Sequence, residues 1–145
     1  MTIKEFEELF HKKKLIKYNT VPEKYVPVTK FKINKANGLT RAILEYIRYT
    51  NNYADRINNT GIYDTRTKKF RKSNTRKGIA DIIASKKITI NDRTIAVNVA
   101  IEIKIGKDQL SEYQKNMRDE ITQKGGYYIL AKDWDTFISQ WENIK

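Results

Sequence analysis

From Thr94 to Ile105 the chain alternates without a break. Ile95, Val97, Val99, Ile101, Ile103 and Ile105 fall on one side, and Thr94, Ala96, Asn98, Ala100, Glu102 and Lys104 on the other. A two-residue period sustained this long specifies a β-strand with one apolar face. Upstream, Ile79 to Ile90 is also strand-like, and Asn91-Asp92 between the two is a good two-residue hairpin turn. With Ile90 opposite Arg93, the register carries Asp81 opposite Glu102. Directly opposed residues have Cβ atoms about 4.5–5.5 Å apart. Lys104, two residues beyond Glu102, points the same way. The hairpin therefore gathers an Asp, a Glu and a Lys on one face of a sheet, off its less apolar side.

Two carboxylates that close repel, and without a cation one of them holds a proton. A hard divalent ion with oxygen ligands, Mg²⁺ or Mn²⁺, resolves the conflict. Asp, Glu and Lys so placed form a minimal site for metal-dependent phosphodiester cleavage. The competing reading of the same residues is a surface ion-pair ladder, which contributes little. The apolar character of both strands and the basic bias of the chain weigh against it.

That bias is uneven. Residues 1–100 hold 22 Lys and Arg against 9 Asp and Glu, whereas residues 101–145 hold 7 against 8. Positive charge is densest from Thr65 to Lys77, where seven of thirteen residues are basic. Poor apolar periodicity makes this segment a loop or irregular hairpin leading into the Asp81 strand. Charge placed there attracts a polyanion and would grip phosphates, although a merely solvated loop has the same composition. There is no cysteine, and the one histidine, His11, lies in a lysine run near the N-terminus. Disulfide frameworks, thiolate or histidine-ligated zinc, HNH chemistry and nucleophilic triads are thereby excluded. No apolar run approaches a membrane span and no secretory signal is visible, so a cytoplasmic protein with no membrane partner is expected.

The rest of the chain organises around this hairpin. Thr2-x-x-Glu5 is a capping box ahead of Ile3, Phe6, Leu9 and Phe10, which predicts a short N-terminal helix. Pro22 and Pro27 break helix, and residues 18–37 read as an extended basic arm. Leu39 to about Tyr49 is helical, burying Leu39, Ala42, Ile43, Tyr46 and Ile47. Tyr53 to Ile62 is expected as the first core strand. Ser111 to about Lys124 is a helix that stops at Gly125-Gly126. Tyr127 to Ala131 is a last strand, and Trp134, Phe137, Ile138 and Trp141 mark a terminal helix packed on the core.

Taken in order, Arg56-Ile-Asn-Asn-Thr-Gly61, Gly78-x-x-Asp81, Glu102-x-Lys104, Gly106, Leu110-Ser111-x-x-Gln114 and Gly125-Gly126 resemble the VRR-NUC branch of the PD-(D/E)XK nuclease superfamily over about residues 37–141. The resemblance implies an α/β fold with a nuclease-like αβββαβ core and short added helices at both ends. It divides the chain into residues 1–37, a helix and basic arm, and 38–145, the nuclease-like domain. It implies a Mg²⁺- or Mn²⁺-dependent DNA endonuclease of phage or bacterial type, resembling Holliday-junction resolvases. Branched DNA would be the substrate, a homodimer would match a symmetric junction, and the setting would be a bacterial or phage-infected cell. Asp81, Glu102 and the Ile103 carbonyl would ligate the metal. Lys104 would stabilise the attacking hydroxide and the phosphorane. Gln114 would stand at the rim of the site, although Ser111-x-x-Gln114 is also a capping box and one carboxamide oxygen cannot fill both roles in one rotamer. Arg56, Asn58, Lys68, Lys69, Arg71, Lys72, Arg76 and Lys77 would contact nucleic acid. Ala80 stands where the superfamily name records Pro. Leu39-Thr-Arg41 stands where many relatives carry a Glu, which leaves Glu45 as the one acid on that helix. The rival readings are a nuclease-fold DNA-binding protein with little or no turnover, such as a packaged or regulatory phage protein, and an interaction module whose basic face meets acidic protein.

Overall fold

A computed structural model describes residues 1–58, 61–71 and 75–145. The chain is a mixed α/β protein. Helices are α1 (Ile3–Lys17), α2 (Ala36–Tyr49), α3 (Glu112–Gln123) and α4 (Trp134–Glu142), and strands are β1 (Tyr53–Arg56), β2 (Ile62–Asp64), β3 (Lys69–Arg71), β4 (Ile82–Ile90), β5 (Arg93–Ile103) and β6 (Tyr127–Ala131). The main sheet has the order β1-β4-β5-β6, and β2-β3 forms a separate two-stranded ribbon. β1, β4 and β5 are antiparallel, and β6 returns parallel to β5 after the α3 crossover.

The expected register holds: Ile90 faces Arg93 and Ile82 faces Ile101. Asn91 and Asp92 both have positive φ, 47° and 62°, as a type I′ hairpin turn demands. Strand limits differ from expectation. The first core strand ends at Arg56, and Ile62 belongs to the β2-β3 ribbon that leaves the main sheet. β4 begins at Ile82, not Ile79, and β5 ends at Ile103, before Lys104 and Ile105. β5 is also not greasy on one side throughout. Ile95 is 44% exposed, while Val99 to Ile103 is buried on both faces. The cause is coverage, because β6 pairs only with Val99–Ile103 and the distal β4-β5 hairpin projects past it.

One face of the sheet carries Ile82, Ala84, Val99, Ile101, Ile103, Ile129 and Ala131 into a single hydrophobic cluster with α2 and α4. Each of the valine and isoleucine side chains, taken fully out of water, contributes about 1.5–3 kcal/mol. The N-terminal segment shares this cluster. Phe6 lies within ring contact of Phe31, Tyr46 and Trp134. The buried Glu7 carboxylate accepts from the Phe31 amide at 2.7 Å and pairs with Lys30 at 2.9 Å, which pins the chain after α1 to the helix. α1 is correspondingly not short but fifteen residues long, with the expected Thr2–Glu5 capping box. A 3-10 turn, Glu23–Tyr25, interrupts the arm. The opposite face of the sheet meets α3, which Gly125 terminates with φ of 79°.

Candidate functional site

Asp81 is the last residue before β4, one step beyond the Ile82–Ile101 pair, so the ladder delivers it to Glu102. Its Oδ2 accepts from the Ile103 amide at 2.9 Å, and its own carbonyl accepts from the Ile57 amide at 2.8 Å. The N–H and C=O of one strand residue point toward the same edge, so the Ile103 carbonyl opens on the Asp81 side. The next amide, Lys104, turns the other way, to the Ala131 carbonyl at 3.0 Å.

Glu102 is 2% exposed, so it lies well inside and not on an open charged face. Its Oε1 meets the Lys104 ammonium at 3.3 Å, and its Oε2 is buried without a hydrogen-bond partner. Burial first, and the Asp81 charge second, push its pKa up to about 7; Lys104 opposes the shift without cancelling it. Lys104 itself is largely buried and lies 4.0 Å from the exposed Asp108 carboxylate.

Gln114 closes the capping box and also reaches Glu102. Its Oε1 accepts from the Ser111 amide at 2.9 Å and closes the N-terminus of α3, while its Nε2 donates to Glu102 Oε1. The carboxamide has two ends, and the cap uses only one of them. Gly78 explains why α3 can stand there. Its φ is +81°, and a Cβ on it would lie 2.3 Å from the Tyr113 carbonyl oxygen. Only glycine lets the segment entering β4 run against the first turn of α3.

Tyr128 was not foreseen. It pairs with Ala100 across β5-β6 and so shares the Glu102 face. Its hydroxyl is buried without a hydrogen-bond partner. Burial, then the charges of Glu102 and Asp81, raise its pKa above that of an ordinary phenol. Alternation along β6 was legible in the sequence, but the register that sets Tyr128 near Glu102 was not.

The other expected residues scatter. Arg56, paired with Ile82, donates to Asn37 Oδ1 at 2.8 Å, which sets the first turn of α2 beside the Asp81 strand. Asn58 is exposed just past β1. Lys68 occupies the turn of the β2-β3 ribbon with φ of 51°, followed by Lys69 and Arg71 on β3; Lys72 lies outside the described residues, as do Asn59 and Thr60. Arg76 is tied to Glu120 at 2.5 Å, and Lys77 stands over the Tyr113 ring at 5.1 Å from its centroid. Glu45 does not join the carboxylates. It lines a cleft between α1 and α2 with Lys13, Lys14, Lys17 and Arg41, because the α2 face that carries Arg41 and Glu45 one turn apart is the one turned to α1.

Among the described residues, no group of three or more His, Cys, Asp or Glu converges. The groups that could hold a hard cation are the Asp81 and Glu102 carboxylates and the Ile103 carbonyl. An orphaned, buried carboxylate oxygen with a raised pKa, beside a second carboxylate, is the donor chemistry such an ion takes. No helix among the described residues is long and apolar enough to cross a membrane. The chain matches no protein-family model, no curated protein and no solved structure.

Proposed function

We propose that the chain is a divalent-metal-dependent DNA endonuclease that acts on branched DNA through Asp81, Glu102 and Lys104. One observation carries the reading: a buried Glu102 with an unpartnered oxygen, set beside Asp81 and held 3.3 Å from Lys104. An ion pair kept only for stability gains nothing from an orphaned carboxylate oxygen, since each buried unsatisfied polar atom costs about 1–3 kcal/mol. A ligand site gains a ready acceptor.

Asp81, Glu102 and the Ile103 carbonyl would hold the ion, while the Ile103 amide fixes the Asp81 rotamer. Bound Mg²⁺ or Mn²⁺ supplies a water of lowered pKa and charge stabilisation at the phosphate. Lys104 stabilises the nucleophile and the pentacovalent phosphorane from the same face. Gln114 holds Glu102 Oε1, which leaves Oε2 for the metal. The basic segment before Asp81 draws the polyanion, and a symmetric junction would be met by two copies.

A second reading, a DNA-binding protein with little or no turnover, is favoured by the separation of Glu45 from the carboxylate pair. One panel decides: junction, flap, duplex and single-stranded DNA, each with Mg²⁺ and with EDTA. Mg²⁺-dependent scission of the branched substrates supports the endonuclease. Binding without scission in any arm supports the second reading.

A further inference from the structure

The β2-β3 ribbon presents an aromatic pair that the fold does not use. Tyr63 and Phe70 face each other across its two strands. They are 56% and 65% exposed, and neither belongs to the hydrophobic core. Directly opposed side chains of an antiparallel pair share one face, so both rings stand on one side of the ribbon, and Asp64 and Lys69 fall on the other. The turn is fixed: Asp64 Oδ1 accepts from the Arg66 and Thr67 amides at 3.0 and 3.3 Å. Arg66, Lys68, Lys69, Arg71, Lys72, Arg76 and Lys77 crowd the same stretch of sequence.

The ribbon is also anchored at the candidate site. One stem leaves from Ile57, whose amide bonds the Asp81 carbonyl, and the other returns through Arg76 and Gly78 into Asp81 itself. Six chain steps lead from Ile57 to Tyr63, so their Cα atoms lie within about 22 Å of each other even at full extension. That is at most about six nucleotides at the duplex rise of about 3.4 Å per strand, and fewer in an extended single strand.

We propose that Tyr63 and Phe70 form a stacking platform for unpaired DNA bases, which the surrounding cations hold by their phosphates. Exposed aromatics interleaved with positive charge are what a single strand requires, because every base offers a π-face and every linkage an anion. A continuous duplex hides its base faces and gains only the charge. The proposal deepens the endonuclease reading by naming the substrate feature: splayed bases beside a branch point, set against the ribbon within reach of the carboxylates.

The test is fluorescence anisotropy with the full chain in EDTA, using labelled oligo-dT and a blunt duplex of equal length across a salt series. In the Tyr63→Leu, Phe70→Leu double variant, oligo-dT affinity should fall by roughly 30-fold or more, the loss expected when two bases are unstacked. Duplex affinity should change by less than about twofold, and the salt slope on both should be kept because the phosphate contacts remain. Phe70→Tyr should bind oligo-dT like the parent, and the melting temperature of every variant should match it, since the rings are exposed. Equal losses on oligo-dT and duplex, or undiminished oligo-dT binding, would overturn the platform. Cleavage with Mg²⁺ combined with undiminished oligo-dT binding in the double variant refutes the platform alone. The predicted binding pattern with no cleavage of any DNA refutes the endonuclease alone.

Discussion

Replacing Glu102 with Gln should make the chain less sensitive to pH, by an amount the site itself sets. In the folded protein without metal the carboxyl titrates near 7; an ordinary one titrates at 4.5. Between those values the native chain keeps a proton that the unfolded chain has released, so native stability falls as pH rises through the window and levels off above about 7. At about 1.4 kcal/mol per tenfold in proton affinity, the displacement amounts to about 3 kcal/mol. Glu102→Gln has no such proton to lose. The amide leaves its own group unpartnered where Oε2 was, at about 1 kcal/mol, but equally at every pH. A 145-residue chain unfolds with an entropy of about 0.3 kcal/mol/K, so the full effect is about 10 °C in melting temperature. The assay is thermal melting of parent and variant in EDTA at pH 5 and pH 8. The difference, variant minus parent, should widen toward pH 8 by roughly 5–10 °C. Every other titratable group is common to both proteins and cancels in the difference. An identical difference at the two pH values would refute a buried Glu102 facing Asp81.

Lys104→Ala should lower turnover by about 10²-fold or more while calorimetry still detects Mn²⁺ binding; joint loss of metal and activity would make Lys104 structural. Neutralising Lys68, Lys69, Arg71 and Lys72 together should flatten the plot of log DNA affinity against log salt by roughly 0.9 for each lost duplex-phosphate contact. An unchanged slope would show that the ribbon is merely solvated, and the basic residues of the arm at 12–35 would then be the next to neutralise. Gly78→Ala combines positive φ with a Cβ 2.3 Å from the Tyr113 carbonyl oxygen, and should cost about 2–4 kcal/mol by thermal or urea unfolding. Unaltered stability would mean that the Gly78–α3 contact does not position Gln114.

What could be read from the sequence was what local spacing determines. The Asn91-Asp92 turn fixed the β4-β5 register, and that register alone carried Asp81 to Glu102. The two capping boxes, Thr2–Glu5 and Ser111–Gln114, marked helix starts because a cap is made within four residues. Long-range coverage could not be read. Nothing in the alternation of β5 says that β6 stops at Val99, so the burial of Glu102 and the exposure of Ile95 both went unforeseen. An irregular hairpin was an expected form of the 65–77 segment, but its limits were not legible, because strands of three residues such as Ile62–Asp64 and Lys69–Arg71 are too short for a period to declare itself. Tyr128 and the partition of the Gln114 carboxamide depend on the β5-β6 register and the seat of α3, which are tertiary facts. Glu45 was singled out as the one acid on its helix, and the helix face that carries it turns toward α1.

The proposed activity requires that Asp81 and Glu102 together hold a metal that cleaves DNA. Single-turnover cleavage of a four-way junction tests it most directly, comparing the parent in Mg²⁺, the parent in EDTA, Asp81→Asn and Glu102→Gln, each at protein concentrations shown by anisotropy to saturate the DNA. Scission is expected from the parent in Mg²⁺ only, with junction binding intact in all four. Scission by either purified variant at the parental rate, or by the parent in EDTA, would contradict it.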